Sequence, residues 1–193
     1  MKIKILLFII YLILFSFNSI AQNSERKFKI HTLAFYNLEN LFDTINDVNK
    51  NDEASPIMEI KFNRSGIYKQ KIANMAKVIS EIGYDVTNRP PTIVGICEVE
   101  NRKVVEDLIS DEKLKNYNYG IVHYESPDDR GIDVGLIFNK DVFKVKNSNS
   151  HDVFITGNNS SKRRNTRDQL VVSGLLDGEL IHIIVNHWPS RGA

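Results

Sequence analysis

The sequence predicts an α/β domain, and three observations predict it. An unbroken apolar stretch, Ile93-Val-Gly-Ile-Cys97, follows Pro90-Pro91 and runs into Glu98-Val-Glu-Asn101. Such a run, set between a proline pair and polar residues, reads as a strand covered on both faces of its sheet. Upstream, Phe28–Tyr36 is rich in β-formers. Between the two, residues 66–82 repeat Ile72, Met75, Ala76, Ile79 and Ile82 at helical spacing, so strand, helix and strand form a βαβ unit. Downstream, Gln169–Leu175 and Glu179–Asn186 flank Asp177-Gly178, the preferred two-residue turn of an antiparallel hairpin.

The 193 residues suffice for one domain with a sizeable core. Lys2 and Lys4 precede the apolar run Ile5–Phe15, and Ser19-Ile-Ala21 sets small residues at the −3 and −1 positions of a cleavage site, the pattern of a secretory signal peptide. The run is shorter than the roughly 20 residues of a spanning helix, and no cysteine directly follows it for lipid attachment, so no stable membrane anchor is expected. Residues 1–21 read as the signal peptide, 22–27 as a polar linker and 28–193 as the folded domain of a protein that is periplasmic or secreted. Removing the leader changes 25 basic against 24 acidic side chains to 23 against 24. No global basic field therefore points to nucleic acid. The one dense basic patch is Lys162-Arg163-Arg164 with Arg167. The single cysteine, Cys97, can make no internal disulfide and reads as a small buried residue.

In chain order, residues 44–63 are polar and aperiodic and read as a long loop. Ser65 is a candidate N-cap and Gly83 a C-terminal cap for the helix between them, with Lys69, Lys71 and Lys77 on its solvated face. Asn101 can cap a second helix, Arg102–Ser110, that turns Val104, Val105, Leu108 and Ile109 inward. Strands follow at Tyr117–His123, Ile132–Phe138 and Val142–Lys146. Glu125–Gly131 reads as a turn-rich loop and Asn147–Asn165 as a surface loop. There is no internal repeat.

Three apolar rows end in polar residues. Side chains alternate along a strand, which groups Leu33 and Phe35 with Asn37 and Glu39, Val94 and Ile96 with Glu98, and Ile181, Ile183 and Val185 with His187. A carboxylate at the end of a buried row is costly unless something positive meets it. One reading of Glu98 is a ligand for a hard cation such as Mg²⁺, which wants carboxylate oxygen. The other is a helix-capping or solvated glutamate. Asn37 is equally readable as a turn residue.

Taken together, Tyr36-Asn-Leu-Glu-Asn-Leu-Phe42, Gly95-Ile-Cys-Glu-Val-Glu-Asn101, Tyr124-Glu-Ser-Pro-Asp-Asp-Arg-Gly-Ile-Asp133 with Val134–Phe138, Thr166-Arg-Asp168 and Asn186-His-Trp-Pro-Ser-Arg191 resemble the endonuclease/exonuclease/phosphatase, or DNase I-like, superfamily. The order and spacing of the pieces carry the resemblance, which spans about residues 28–193. It implies a four-layer α/β sandwich, two β-sheets with helices outside. It implies Glu98 as metal-binding glutamate, with Asn37 and Glu39 beside the metal. It also implies His187 as a histidine working at the phosphate, Asp133 as the acid that hydrogen-bonds it, and Arg167 and Ser190 as phosphate contacts. Such an acid would raise the imidazole pKa and suit a general acid.

The family's later Asp-x-Asn motif and C-terminal Asp-His pair do not occur in this sequence, so the chain reads as the N-terminal part of a longer protein. For the complete protein the resemblance implies a phosphoric ester hydrolase using Mg²⁺, or Mn²⁺ or Ca²⁺, a monomer acting on nucleic acid or another phosphodiester. A phosphomonoesterase or lipid phosphodiesterase on the same scaffold, or a non-catalytic binding domain, are the alternatives left open. Residues 22–193 by themselves are expected to be poorly soluble and inactive.

Overall fold

The computed structural model describes residues 28–156 and 163–189. The expected signal peptide and linker, residues 1–27, lie outside them. Every element that follows lies in the compact unit His31–Ala193. Strand β1 (Leu33–Leu41) leads through the short helix α1 (Pro56–Glu59), the long α2 (Arg64–Glu81) and α3 (Tyr84–Thr87) into β2 (Ile93–Val99). Helix α4 (Arg102–Ile109) precedes β3 (Tyr119–His123) and β4 (Asp133–Asn139). Then come β5 (Phe143–His151), β6 (Ile155–Thr156), β7 (Arg163–Arg164), β8 (Gln169–Leu176) and β9 (Glu179–Val185).

The first sheet has the order β1-β2-β4-β3, with β1 and β2 parallel and the other pairs antiparallel. The second is β5-β8-β9, all antiparallel, and β6 and β7 form a separate ribbon. One core lies between the helices and the first sheet, where Val94, Ile96 and Val99 meet Ile72, Ala76 and Ile79 of α2 and Val104, Val105 and Leu108 of α4. The other lies between the sheets, where Ile93, Cys97, Val134, Leu136 and Phe138 meet Phe143, Leu170, Val172 and Val185. The result is a two-sheet α/β sandwich with helices outside. Strand β2 is covered on both faces, which explains its continuous apolar run. Strand β9 alternates instead, with Leu180 and Ile184 exposed on its outer face. Phe143 ties the sheets together edge-on to Phe138, ring centroids 5.6 Å apart. Gly174 makes room for it, since a Cβ there would fall 2.4 Å from the Phe143 ring.

Several expected boundaries shift. The first strand begins at Leu33 rather than Phe28, because its ladder with β2 starts at the Leu33–Ile93 pair. Residues 44–63 are not featureless. They hold a 3₁₀ turn at Asp52–Ala54 and helix α1, whose Ile57 packs with Phe42 and Ile132. Helix α2 starts after Asn63, in left-handed conformation (φ 56°), so Ser65 lies inside it, whereas Gly83 (φ 67°) ends it as expected. Strand β5 continues through Asn147–His151, read above as surface loop, because those residues pair with β8 as far as His151–Gln169. Its polar composition reflects one solvated face rather than the lack of a ladder. Asn101 caps α4 as expected, accepting from the Val104 N–H at 3.1 Å. At the hairpin, Asp177 (φ 49°) and Gly178 (φ 95°) both take the positive φ that such a two-residue turn requires.

Candidate functional site

The site forms where β1 and β2 are interrupted at the same end. In β2, Glu98 (φ 58°) is an extra residue between Cys97, opposite Val134, and Val99, opposite Asp133. In β1, Glu39 (φ 51°) and Asn40 (φ 58°) fall where the ladder shifts between Asn37, opposite Cys97, and Leu41, opposite Val99. Left-handed backbone at non-glycine residues costs energy and bulges re-aim side chains. Strict alternation would have put Glu98 on the helix-facing side with Val94 and Ile96. The bulge resets the parity, so Val99 takes that side. The Glu98 carboxylate turns toward Asn37 instead. Asn37 Nδ2 donates to Glu98 Oε1 at 3.0 Å, and the Asn40 N–H donates to Oε2 at 3.0 Å. Asn37 Oδ1 is occupied by the Glu39 N–H at 2.7 Å. Lys71, expected on a solvated face, instead donates to the carbonyls of Glu39 and Asn40 and so clamps the bulge. Burial pushes the Lys71 pKa down, against the opposing pull of Glu39 and Glu98.

From the second sheet, Ile181, Ile183 and Val185 face the inter-sheet core as expected. The segment after β9 carries His187 Nε2 to 3.4 Å from Glu98 Oε1. Its Nδ1 is buried without a hydrogen-bond partner. Burial pushes the imidazole pKa down, Arg167 adds to this and Glu98 opposes it, so the neutral form prevails at pH 7.

The expected Asp133–His187 pair does not form. On β4, Val134, Leu136 and Phe138 face the second sheet while Ile137 faces the helices. Asp133 shares the parity of Ile137 and therefore points away from His187. It is fully buried, Oδ1 accepts from the Ser126 N–H at 2.8 Å, and Oδ2 lies 3.1 Å from His123 Nε2. The acid beside the imidazole is therefore Glu98, not Asp133.

A cleft of about 470 Å³ opens on this arrangement, lined among others by Glu98, Asp128, Arg130, Arg167, His187 and Trp188. Arg167 is buried and donates from Nη1 to Asp128 Oδ2 at 3.1 Å. Burial pushes the Asp128 carboxyl up, but hydrogen bonds from Arg130 and Arg167 outweigh it and hold the pKa below the ordinary 3.8. Cys97, behind Glu98, is a fully buried thiol pushed up to about 12, chiefly by desolvation. Ser190 and Lys162 lie outside the described residues. The sequence reading missed Asp128, Trp188, Lys71 and His123. Asp128 and Asp129 look alike in sequence, and only tertiary burial against Arg167 separates them.

Of the three residues expected at a metal, Glu98 alone lines the cleft. Asn37 presents its amide N–H groups to Glu98 rather than an oxygen to a cation, and the Glu39 side chain is exposed. A hard cation that keeps several waters needs only one or two carboxylates, so Glu98 fits such an ion.

No curated protein matches the sequence. Among solved structures, the chain is similar to a humanized D. rerio TDP2 (15% identity, TM-score 0.42, covering 81% of this chain and 46% of that chain). It is also similar to the human Nocturnin catalytic domain with bound sulfate anion (18%, 0.43, 61% and 44%). A third is the endonuclease/exonuclease/phosphatase from Bacteroides vulgatus (15%, 0.42, 78% and 49%). The chain spans less than half the length of each. The sequence profile of the Endonuclease/Exonuclease/phosphatase family matches residues 32–193, and the chain belongs to that family.

Proposed function

We propose that this protein is a divalent-metal-dependent phosphoric ester hydrolase that cleaves phosphodiester bonds in nucleic acid after export to the periplasm or medium. The observation that carries the reading is the meeting of Glu98 and His187 across two sheets, in a cleft that also holds the buried Arg167. Glu98, fixed by Asn37 and the Asn40 N–H, would hold Mg²⁺, Mn²⁺ or Ca²⁺. Such an ion supplies charge neutralisation at the phosphate and its leaving oxygen. Arg167, pre-oriented by Asp128, offers a charged donor to a phosphoryl oxygen, in the manner of preorganised electrostatic stabilisation. His187, neutral at pH 7, serves as a hydrogen-bond donor to the phosphoryl group rather than as a standing acid. Trp188 is 60% exposed on the cleft wall and offers a face on which a base can stack, which favours a nucleic-acid strand over a small phosphate ester.

Glu98→Gln keeps the hydrogen-bonding outline and removes the charge. In the complete protein it is expected to lower hydrolysis of a DNA substrate by roughly 100-fold or more while the melting temperature stays near that of the parent. Chelation should abolish the parent's activity and Mg²⁺ restore it. Undiminished turnover in Glu98→Gln would refute the metal role. Export is supported by Lys2, Lys4, the apolar run and Ser19-Ile-Ala21. N-terminal sequencing of the exported protein should read from Gln22, and a mature chain beginning at Met1 would refute it.

A further inference from the structure

On the opposite face of the first sheet, three side chains converge that the cleft does not use. His123 ends β3, Asp133 begins β4, and Glu125 lies in the connection between them. Their nearest imidazole nitrogen and carboxylate oxygens all lie within 4.8 Å of one another. His123 and Asp133 are buried, with 3% and 0% of their side chains exposed, and Glu125 stands at the rim. His123 Nε2 and Asp133 Oδ2 face each other as an ion pair at 3.1 Å, but the contact lacks hydrogen-bond geometry, neither atom has a hydrogen bond to any other described residue, and neither touches solvent. Two buried polar atoms without a directed hydrogen bond are expensive. Two ligands about 2.1 Å from one cation at right angles sit about 3 Å apart, which is the separation observed.

We propose that His123, Asp133 and Glu125 bind a divalent transition-metal ion, Zn²⁺ or Mn²⁺, at a site separate from the Glu98 cleft. An imidazole with two carboxylates suits these ions, whereas oxygen-only sets suit Mg²⁺ and Ca²⁺. The lone pairs left without a directed hydrogen bond become its ligands. Asp133 Oδ1 is already held by the Ser126 N–H, the kind of outer contact that orients a metal-binding carboxylate. The neighbouring charge is mixed. Lys50 donates from Nζ to the Ser126 carbonyl, which offsets part of the acidic charge. Glu125 also lines a cleft of about 370 Å³ with Asp47, Asn49, Lys50 and Asp52, which gives an ion a route in from solvent. Bound there, the ion ties β3, β4 and their connection together. That connection carries Asp128, whose carboxylate holds Arg167, so the ion acts as a clasp for one wall of the cleft.

The test is metal binding to the purified, chelator-stripped protein, read by calorimetry, thermal denaturation and, for Mn²⁺, electron paramagnetic resonance. Zn²⁺ at 100 times its Kd should raise the melting temperature by about 5 °C or more, and X-ray absorption should report one imidazole nitrogen among oxygen ligands. Glu125→Gln, at the exposed rim, should fold normally and lose at least tenfold in Zn²⁺ affinity, and His123→Asn should lose more. Glu98→Gln should leave Zn²⁺ binding unchanged. No thermal shift in the parent, an oxygen-only ligand shell, or affinity that falls with Glu98→Gln but not with Glu125→Gln overturns the proposal.

Discussion

Asp128 and Arg167 show how one buried pair prepares a cleft for an anion. Both side chains are less than 10% exposed, so removing one partner leaves the other charge uncompensated, at about 3–5 kcal/mol for such pairs. Asp128→Asn should therefore destabilise the protein and weaken substrate binding together. The pH dependence follows from the depressed pKa. A carboxyl held below its ordinary 3.8 contributes stability that is fully present above that value and is lost as pH falls through the lower folded value. The deficit of Asp128→Asn should be full at pH 6 and shrink as pH falls below 3.8 and through the lower folded value. Denaturant melts of parent and variant across this pH range measure it, and a gap that does not change with pH would contradict the assignment.

At the scale of elements, the paired irregularities in β1 and β2 set the site. Glu39, Asn40 and Glu98 all adopt left-handed backbone, and the Asn40 N–H holds Glu98 Oε2. A β-branched residue at position 40 should meet that conformation badly. Asn40→Val is expected to cost about 1–2 kcal/mol and to weaken divalent-metal binding at Glu98, while Asn40→Gly should retain both properties closely. Thermal melts with Mg²⁺ titration separate the two. Equal behaviour of Val and Gly would mean that the bulge carries no strain.

At the scale of the whole molecule, the described residues leave two faces open while two cores close. Leu180 and Ile184 are 60% and 58% exposed on the outer face of the second sheet, and Leu33 and Phe35 are 52% and 55% exposed near the β1 edge. Exposed apolar side chains on a sheet face and an accessible strand edge favour association. Replacing Leu180 and Ile184 together by Lys should lower self-association without lowering the melting temperature, because little packing is lost. Sedimentation velocity across a concentration series reads the outcome, and unchanged association would place the contact elsewhere.

The sequence by itself determined the α/β class, the βαβ unit, the Asp177-Gly178 hairpin, the Asn101 cap and the inward face of β9, because each depends on local periodicity or turn chemistry. It also singled out Glu98, Arg167 and His187, which do line one cleft. Only the tertiary structure decided where Glu98 points, since a single inserted residue at φ 58° reverses the parity that alternation assumes. It alone separated Asp133 from His187, because the two lie on opposite sides of the first sheet, and gave Asp133 the partner His123. It also turned Arg167 from a member of a basic patch into a buried cation, because the acid that holds it, Asp128, lies 39 residues earlier in the chain.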